Sequence, residues 1–397
     1  MNILILSPYL PSEFSGHAGA QLIFRNIISI SKKHNITLAC FINSGENKDI
    51  IHLEDAGINV YPILYFRAQK SLKNKIYSLF QNLESIFNFL KGHEPFFFAK
   101  YNKKVMKNLV KKIVYENEFD IVQIEYNIMY HYIDLLGEIP KIINFHDVST
   151  KVYERGRRYK YFSNNRYYKM VKKIEPFITT KVDSVITLSN EDKVYLTSIG
   201  CDAEIHVIPP QIKIPESLIS FKKKNEICFF GSFSREPNVQ AVNILIDKIL
   251  PQLSNRIKLN IIGLDLPNSL VFKINGNSRI NYLGFIEDID SFISTQMITV
   301  SPILIGAGIK MKNLHSLACS TAVLTTPIGA EGINIDEDNG LWISNIISMG
   351  GVLNTLLEND ELLIKKGQQG KEIVKQFFSE NKIISQYESL YSNLIKK

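Results

Sequence analysis

The sequence predicts an α/β protein made of two Rossmann-like, doubly wound domains facing across a cleft. Three observations carry this expectation. Short, continuously apolar runs alternate with helical patterns, which argues parallel strands covered on both faces by helices. The alternation stops once, at a proline-rich stretch, and then restarts. The chain has 397 residues and 45% hydrophobic content, enough for two ordinary domains with separate cores.

In the first half, the expected strands are Ile3–Ser7, Ile36–Phe41, Val60–Leu64, Ile121–Glu125, Ile142–Phe145, Ser184–Leu188 and Ile205–Ile208. The stretch Pro209–Asn225 holds three prolines and then a basic run, without a clear period, and reads as a linker. Strands resume at Ile227–Phe230, Leu259–Gly263, Ile280–Leu283, Ile298–Val300 and Ala322–Thr325. After Leu341 the pattern reads as helical to the end. The expected organisation is a first domain over 1–208, a linker over 209–225, a second domain over 226–376 and a C-terminal helix over 377–397.

Composition narrows the function classes. No run of about 18 to 20 apolar residues occurs, so no membrane-spanning helix is expected. The start, MNILILSPYLPSE, reads as a buried strand and not as a signal peptide. Cys40, Cys201, Cys228 and Cys319 show no CxxC pairing and read as buried thiols in a reducing compartment, with no zinc site. Net charge is +7 but uneven: residues 67–112 carry eleven Lys/Arg against two Glu, and residues 151–173 carry nine against one. Such basic patches suit phosphates or an anionic leaflet, or simply solvate helix faces; no nucleic-acid motif accompanies them.

Candidate site residues follow the strand ends. After the first strand, Gly16 and Gly19 flank His17 in a loop before a helix expected near Ala20, an anion-friendly arrangement. The Phe-rich segment after Lys70 departs from the alternation. Its Phe87, Phe89, Phe96, Phe97 and Phe98 read either as bilayer-interface residues beside lysines or as ordinary core. Glu125 closes one strand, and His146-Asp147 follows another; carboxyl ends of strands are where open α/β sheets bind ligands. Arg155, Arg157 and Arg158 lie just beyond, suited to a phosphate or to solvent. The stretch Ser301–Ile333 combines a glycine loop (Gly306, Gly308), a helix opening near Ile309, Lys310 and Lys312, a buried strand and a second glycine turn (Gly329, Gly332). A glycine loop, a helix start and two lysines together suit a diphosphate.

The order of these landmarks resembles the GT-B glycosyltransferases, specifically the retaining group classed as family 4. Its donor segment has the pattern GxGxxxKxxEAMAxGxPVVxTxxGxEG. Gly306, Gly308, Lys312, Ala318, Val323, Thr326, Gly329, Glu331 and Gly332 match it, with Leu317 in the place of the Met. Phe229–Asn238 (FFGSFSREPN) is similar to the opening of the family's C-terminal domain, and Ile280–Phe285 with Asp288 to its VxxxGxvxD step. The chain departs where the family carries two glutamates eight positions apart, the second holding the ribose. Those positions read Ala307 and His315.

The resemblance implies transfer of a sugar from a nucleoside-diphosphate sugar to an acceptor hydroxyl, with retention and no metal or other cofactor. Lys310 and Lys312 would stabilise the leaving diphosphate, with Arg235 supplementing them, and His146 would assist at the sugar face. Gly16, Gly19, Gly231, Gly306, Gly308, His315, Gly329 and Glu331 would line the donor; His17, Glu125 and Asp147 fall on the acceptor side. The last helix would cross back to the first domain. A glycan or lipid-linked acceptor, peripheral contact with an anionic membrane from the cytoplasmic side, and surface polysaccharide assembly in an AT-rich bacterium complete the expectation. Two rivals are a non-catalytic relative binding a glycan or partner, and a nucleotide-sugar epimerase using Glu125 and Asp147.

Overall fold

The computed structural model describes residues 1–15, 17–66, 72–158, 165–216 and 223–396 and contains two parallel sheets. Each sheet has its own compact unit: Met1–Pro209 with Ile384–Lys397, and Pro210–Ile383. In the first unit the strands are β1 (Asn2–Ser7), β2 (Asn35–Ile42), β3 (Asn59–Leu64), β4 (Ile121–Glu125), β5 (Lys141–Phe145), β6 (Ser184–Thr187) and β7 (Glu204–Val207). Their order is β3-β2-β1-β4-β5-β6-β7. The second unit holds β8 (Lys223–Phe230), β9 (Lys258–Ile262), β10 (Ile280–Gly284), β11 (Gln296–Ser301), β12 (Ala322–Thr325) and β13 (Leu341–Ile343), ordered β10-β9-β8-β11-β12-β13. The doubly wound α/β expectation therefore holds for both halves.

Burial explains why these segments are strands. β4 and β12 are buried at every position, as a sheet covered on both faces requires. Leu4, Leu6, Phe41, Val122, Ile124 and Phe145 belong to the first core, and Ile227, Phe229, Leu259, Ile298, Val300 and Leu324 to the second. Each sheet reverses its winding once, between β1 and β4 and between β8 and β11, where Ile3 pairs with Ile121 and Ile298 with Ile227. Such switch points open a crevice at the carboxyl ends of the two strands.

Several local expectations need correction. Leu341–Ile343, read as the start of an all-helical tail, is a strand paired with β12. Three residues are too few to show a period, and only the neighbouring strand reveals it. Lys223–Asn225, assigned to the linker, belong to β8; residues 217–222 of that linker lie outside the described residues, as does Gly16. The helix expected near Ala20 begins at Ala18, and the one expected near Ile309 begins at Met311. Phe98 is core, Phe89, Phe96 and Phe97 are half-buried, and Phe87 is exposed.

The C-terminal helix Glu380–Ile395 places two buried tyrosines in the first unit. Asn26 Nδ2 (3.2 Å) and Asn144 Nδ2 (3.4 Å) donate to Tyr387 Oη, and Tyr391 Oη donates to Gln123 Oε1 at 2.5 Å. All four cysteines are buried as free thiols. No helix among the described residues is long and apolar enough to cross a membrane.

Candidate active site

In the first unit, the sheet's switch point gathers an aromatic cluster. β4 delivers Glu125 and Tyr126, and β5 delivers His146, to the same end of the sheet. Glu125 Oε2 lies 2.6 Å from His146 Nε2, and both side chains are buried. Gln123 Nε2 donates to the other Glu125 oxygen at 2.6 Å and itself accepts from Tyr391. This chain fixes the carboxylate, and the carboxylate fixes the ring. Tyr126 stacks on His146, with centroids 3.9 Å apart and planes 8° apart.

The loop after β1 joins the same cluster. Tyr9 packs edge-on against Tyr126 at 5.5 Å and lies 4.4 Å from His17. His17 caps the helix Ala18–Ser31, its Nδ1 accepting from Ala20 N at 3.3 Å. Gly19 is required by contact: a Cβ there would stand 1.7 Å from Tyr126 Oη. Tyr126 holds φ of +69°, sparsely populated for a residue with a side chain. Asp147 is exposed. Arg155 is half-buried, Arg157 stacks 4.6 Å from the Tyr168 ring, and the Arg158 side chain lies outside the described residues.

In the second unit, the switch point between β8 and β11 gathers cations. β8 runs into Gly231, where φ is +153° and a Cβ would lie 3.0 Å from Lys312 Nζ and 2.8 Å from Asn238 Nδ2. β11 runs into the glycine loop, with Gly306 and Gly308 at φ of +136° and +66°, and then into the helix Met311–Ala318. Lys312 Nζ donates to Asn238 Oδ1 at 2.6 Å and sits 4.1 Å from the Phe229 ring centroid. Burial, with help from the neighbouring Lys310 and Arg235 cations, lowers the Lys312 pKa to about 7. An ammonium held at such cost beside two other cations marks a place where an anion is welcome.

Lys310 stands just before the helix, not inside its first turn as expected, and its ammonium donates to the Ala307 (2.9 Å) and Gly308 (2.7 Å) carbonyls. Arg235 caps the helix Glu236–Ile244 and is exposed. The second glycine turn is fixed from below: Asn313 Nδ2 donates to Gly329 O at 2.8 Å, and Gly329 N donates to Thr326 Oγ1 at 3.0 Å. Glu331 is half-buried beyond that turn.

His315 is half-buried, with Nε2 2.5 Å from Asp290 Oδ1 and its ring edge-on to Phe230. Cys319 Sγ lies 4.0 Å from the same oxygen, and among the described residues these three ligand-type atoms fall within 4.8 Å of one another. Metal bonds to such atoms are about 2 Å long, so holding an ion would require the His315–Asp290 bond to open. Ala307 is buried and has no polar side chain.

The structure thus brings Gly231, Lys310, Lys312 and Arg235 together, and separately His17, Gly19, Glu125 and His146. Sequence reasoning missed Tyr126, Asn238 and Asp290. Tyr126 follows Glu125 directly and Asn238 closes the FFGSFSREPN motif, so both had a signal; Asp290, two residues past the motif's Asp288, had none.

Residues 224–359 match the family described as Glycosyl transferases group 1, and residues 48–214 match Glycosyltransferase Family 4. An uncharacterized glycosyltransferase of Methanocaldococcus jannaschii, MJ1069, is 24% identical over 305 residues, covering 71% of this chain and 77% of that one. An uncharacterized 44.6 kDa protein from the cps region of Klebsiella pneumoniae is 22% identical over 305 residues, covering 69% and 77%. Among solved structures, Anabaena Alr3699/HepE in complex with UDP superposes with a TM-score of 0.71 at 14% identity, covering 99% of this chain and all (100%) of that one.

Proposed function

The chain belongs to the family 4, group 1 glycosyltransferases and uses a nucleotide-sugar donor, and from that premise we propose how its residues divide the work. Lys312, with Arg235 and Lys310 beside it, takes the donor diphosphate at the β8/β11 switch point. The bond between the anomeric carbon and the diphosphate oxygen breaks, a bond to the acceptor oxygen forms with retention, and the acceptor proton leaves with solvent or the diphosphate. Charge on the departing diphosphate is met by these cations and the start of the helix Met311–Ala318, with no metal called upon. The observation that carries the reading is the buried Lys312 ammonium, held between Asn238 and the Phe229 ring with two further cations, Lys310 and Arg235, acting on it.

In the first unit, His146 is the group assigned to the sugar. Glu125 holds its Nε2, which leaves Nδ1 as the nitrogen for a ligand. The base is uridine in this reading, supported by the UDP complex of the Anabaena protein. The acceptor is a glycan or lipid-linked glycan, supported by the cps-region relative.

A nucleotide panel tests this. UDP, GDP, ADP and CMP are compared by thermal shift on wild type and Lys312→Ala. A ligand at 100 times its dissociation constant adds about 2.7 kcal/mol of stability, a readily seen shift. UDP should stabilise wild type and not the variant. A shift that survives Lys312→Ala would remove the lysine from the donor site. Product anomer, read by NMR with and without EDTA, tests retention and metal independence.

A further inference from the structure

We propose that the helix pair Leu72–Gln81 and Leu83–Leu90 seats this chain on an anionic lipid surface. The donor site plays no part in this seating. Ile76, Leu79 and Phe80 share a face of the first helix and Leu83, Phe87 and Leu90 a face of the second, at spacings of three, four or one, which gives each helix an apolar stripe. In a soluble domain that stripe would face the core. Here it faces outward: Phe80 is 67% and Phe87 56% exposed, and the other four are exposed too.

The polar side is what the helices bury. Asn82 and Ser85 are 4% and 2% exposed. Lys103 Nζ donates to Gln81 O (2.6 Å), Asn82 Oδ1 (3.0 Å) and Ser85 Oγ (3.4 Å). Tyr65 Oη donates to Asn82 Oδ1 at 3.0 Å, and Ser85 Oγ to Ala99 O at 2.9 Å. These bonds set the rotation of the pair about its axis. Turning the apolar stripe inward would break all of them, so the inside-out orientation is built in.

Charge selects the occupant. Glu84 is the single acidic residue between positions 72 and 93. Lys91 follows the second helix and places Nζ 4.3 Å over the Phe87 ring. Arg166 closes the same helix, donating to Phe89 O (2.8 Å) and Leu90 O (2.7 Å), and its own helix Asn165–Thr179 goes on to expose Lys169, Lys172 and Lys173. An apolar stripe edged by cations matches a helix lying in the interface plane, with rings at the acyl boundary and ammonium groups among the headgroups. A protein groove would also cover the stripe, but nothing in such a groove calls for so large an excess of cations over the single exposed Glu84.

Vesicle co-sedimentation of the full chain tests this, comparing phosphatidylcholine with a three-to-one mixture of phosphatidylcholine and phosphatidylglycerol. Wild type should sediment with the mixture, less so at high salt. Phe80→Ser/Phe87→Ser should lower the partition coefficient about a hundredfold, since each of the two rings removed from the interface carries about a tenfold term. Both rings are exposed, so circular dichroism and nucleotide-induced thermal shift should match wild type. Unchanged sedimentation of the double variant, or no binding by wild type, would overturn the proposal. So would a wild-type dimer in size-exclusion chromatography that the double variant splits, because the stripe would then belong to a second copy.

Discussion

Tyr126 lies flat on His146, 3.9 Å between ring centroids, while its hydroxyl leaves no room for any side chain at position 19. One tyrosine thus joins the loop after β1 to the ends of β4 and β5, and a backbone at φ of +69° holds it there. Strain of this kind persists when the surroundings over-determine it, and the stack on His146 is what it secures.

Gly19→Ala should therefore act on His146 through Tyr126. The new methyl, 1.7 Å from Tyr126 Oη, must displace the ring, and kcat should fall about fivefold if a stack worth about 1 kcal/mol is lost. Tyr126→Phe alone should cost little, because the ring stays. The double variant should recover part of the loss, since the oxygen at 1.7 Å is gone while the ring carbon at 2.9 Å still has to give. Steady-state kinetics on the four proteins gives the coupling energy directly; additive effects would mean that the two residues do not communicate.

His315→Ala separates a donor contact from a structural pair. If His315 touches the nucleotide sugar, KM should rise about tenfold with kcat little changed, the cost of one hydrogen bond from a polarised group. A purely structural His315–Asp290 pair would instead lower the melting temperature and leave KM alone. Asp290→Asn should follow His315→Ala in whichever quantity moves, as the carboxylate is 2.5 Å from the ring.

Much of the fold was readable from the chain. Ile121–Glu125 and Ala322–Thr325 emerge as strands with the expected limits because unbroken apolar runs between helical patterns have few other uses. The glycine loop was visible in the same way. What the chain hid is direction. The position of Lys310 is plain in the sequence, but its ammonium turns back on the loop carbonyls, a path set by the local backbone. The stripe from Ile76 to Leu90 has the same spacing whether it is buried or bare. The bonds that Lys103, Tyr65 and Ala99 make with Asn82 and Ser85 decide which.

Nucleotide affinity should fall as pH rises above about 7. Unliganded Lys312 has a pKa of about 7, and a diphosphate beside it raises that value, so binding takes up a proton. Between pH 7 and 9 the dissociation constant should rise by up to about tenfold per unit. Calorimetry in buffers of different ionisation enthalpy would register the proton directly. Lys312→Arg, which stays charged throughout, should bind with a flat profile over the same range. A sloped profile in that variant would place the titrating group elsewhere.

Glu175 should make the first unit less stable as pH rises from 4.5 to 7. Its carboxyl is fully buried on the helix Asn165–Thr179 and accepts from Ser149 N (2.7 Å), Thr150 N (3.0 Å) and Asn127 Nδ2 (2.8 Å). Burial raises its pKa to about 7 from 4.5, outweighing those hydrogen bonds, which act to lower it. The folded state therefore holds a proton that the unfolded chain has released across this window. That contribution is fully present below the unfolded value and is lost as pH rises through about 7. A shift of this size corresponds to about 3 kcal/mol. Glu175→Gln cannot ionise yet keeps one acceptor, so its melting temperature should vary less between pH 5 and 8 than that of wild type. Because Glu175 holds the first backbone N–H groups of the helix Ser149–Arg158, amide exchange at Ser149 and Thr150 should report the same titration. Parallel pH profiles for wild type and variant would show that the carboxyl stays in one protonation state.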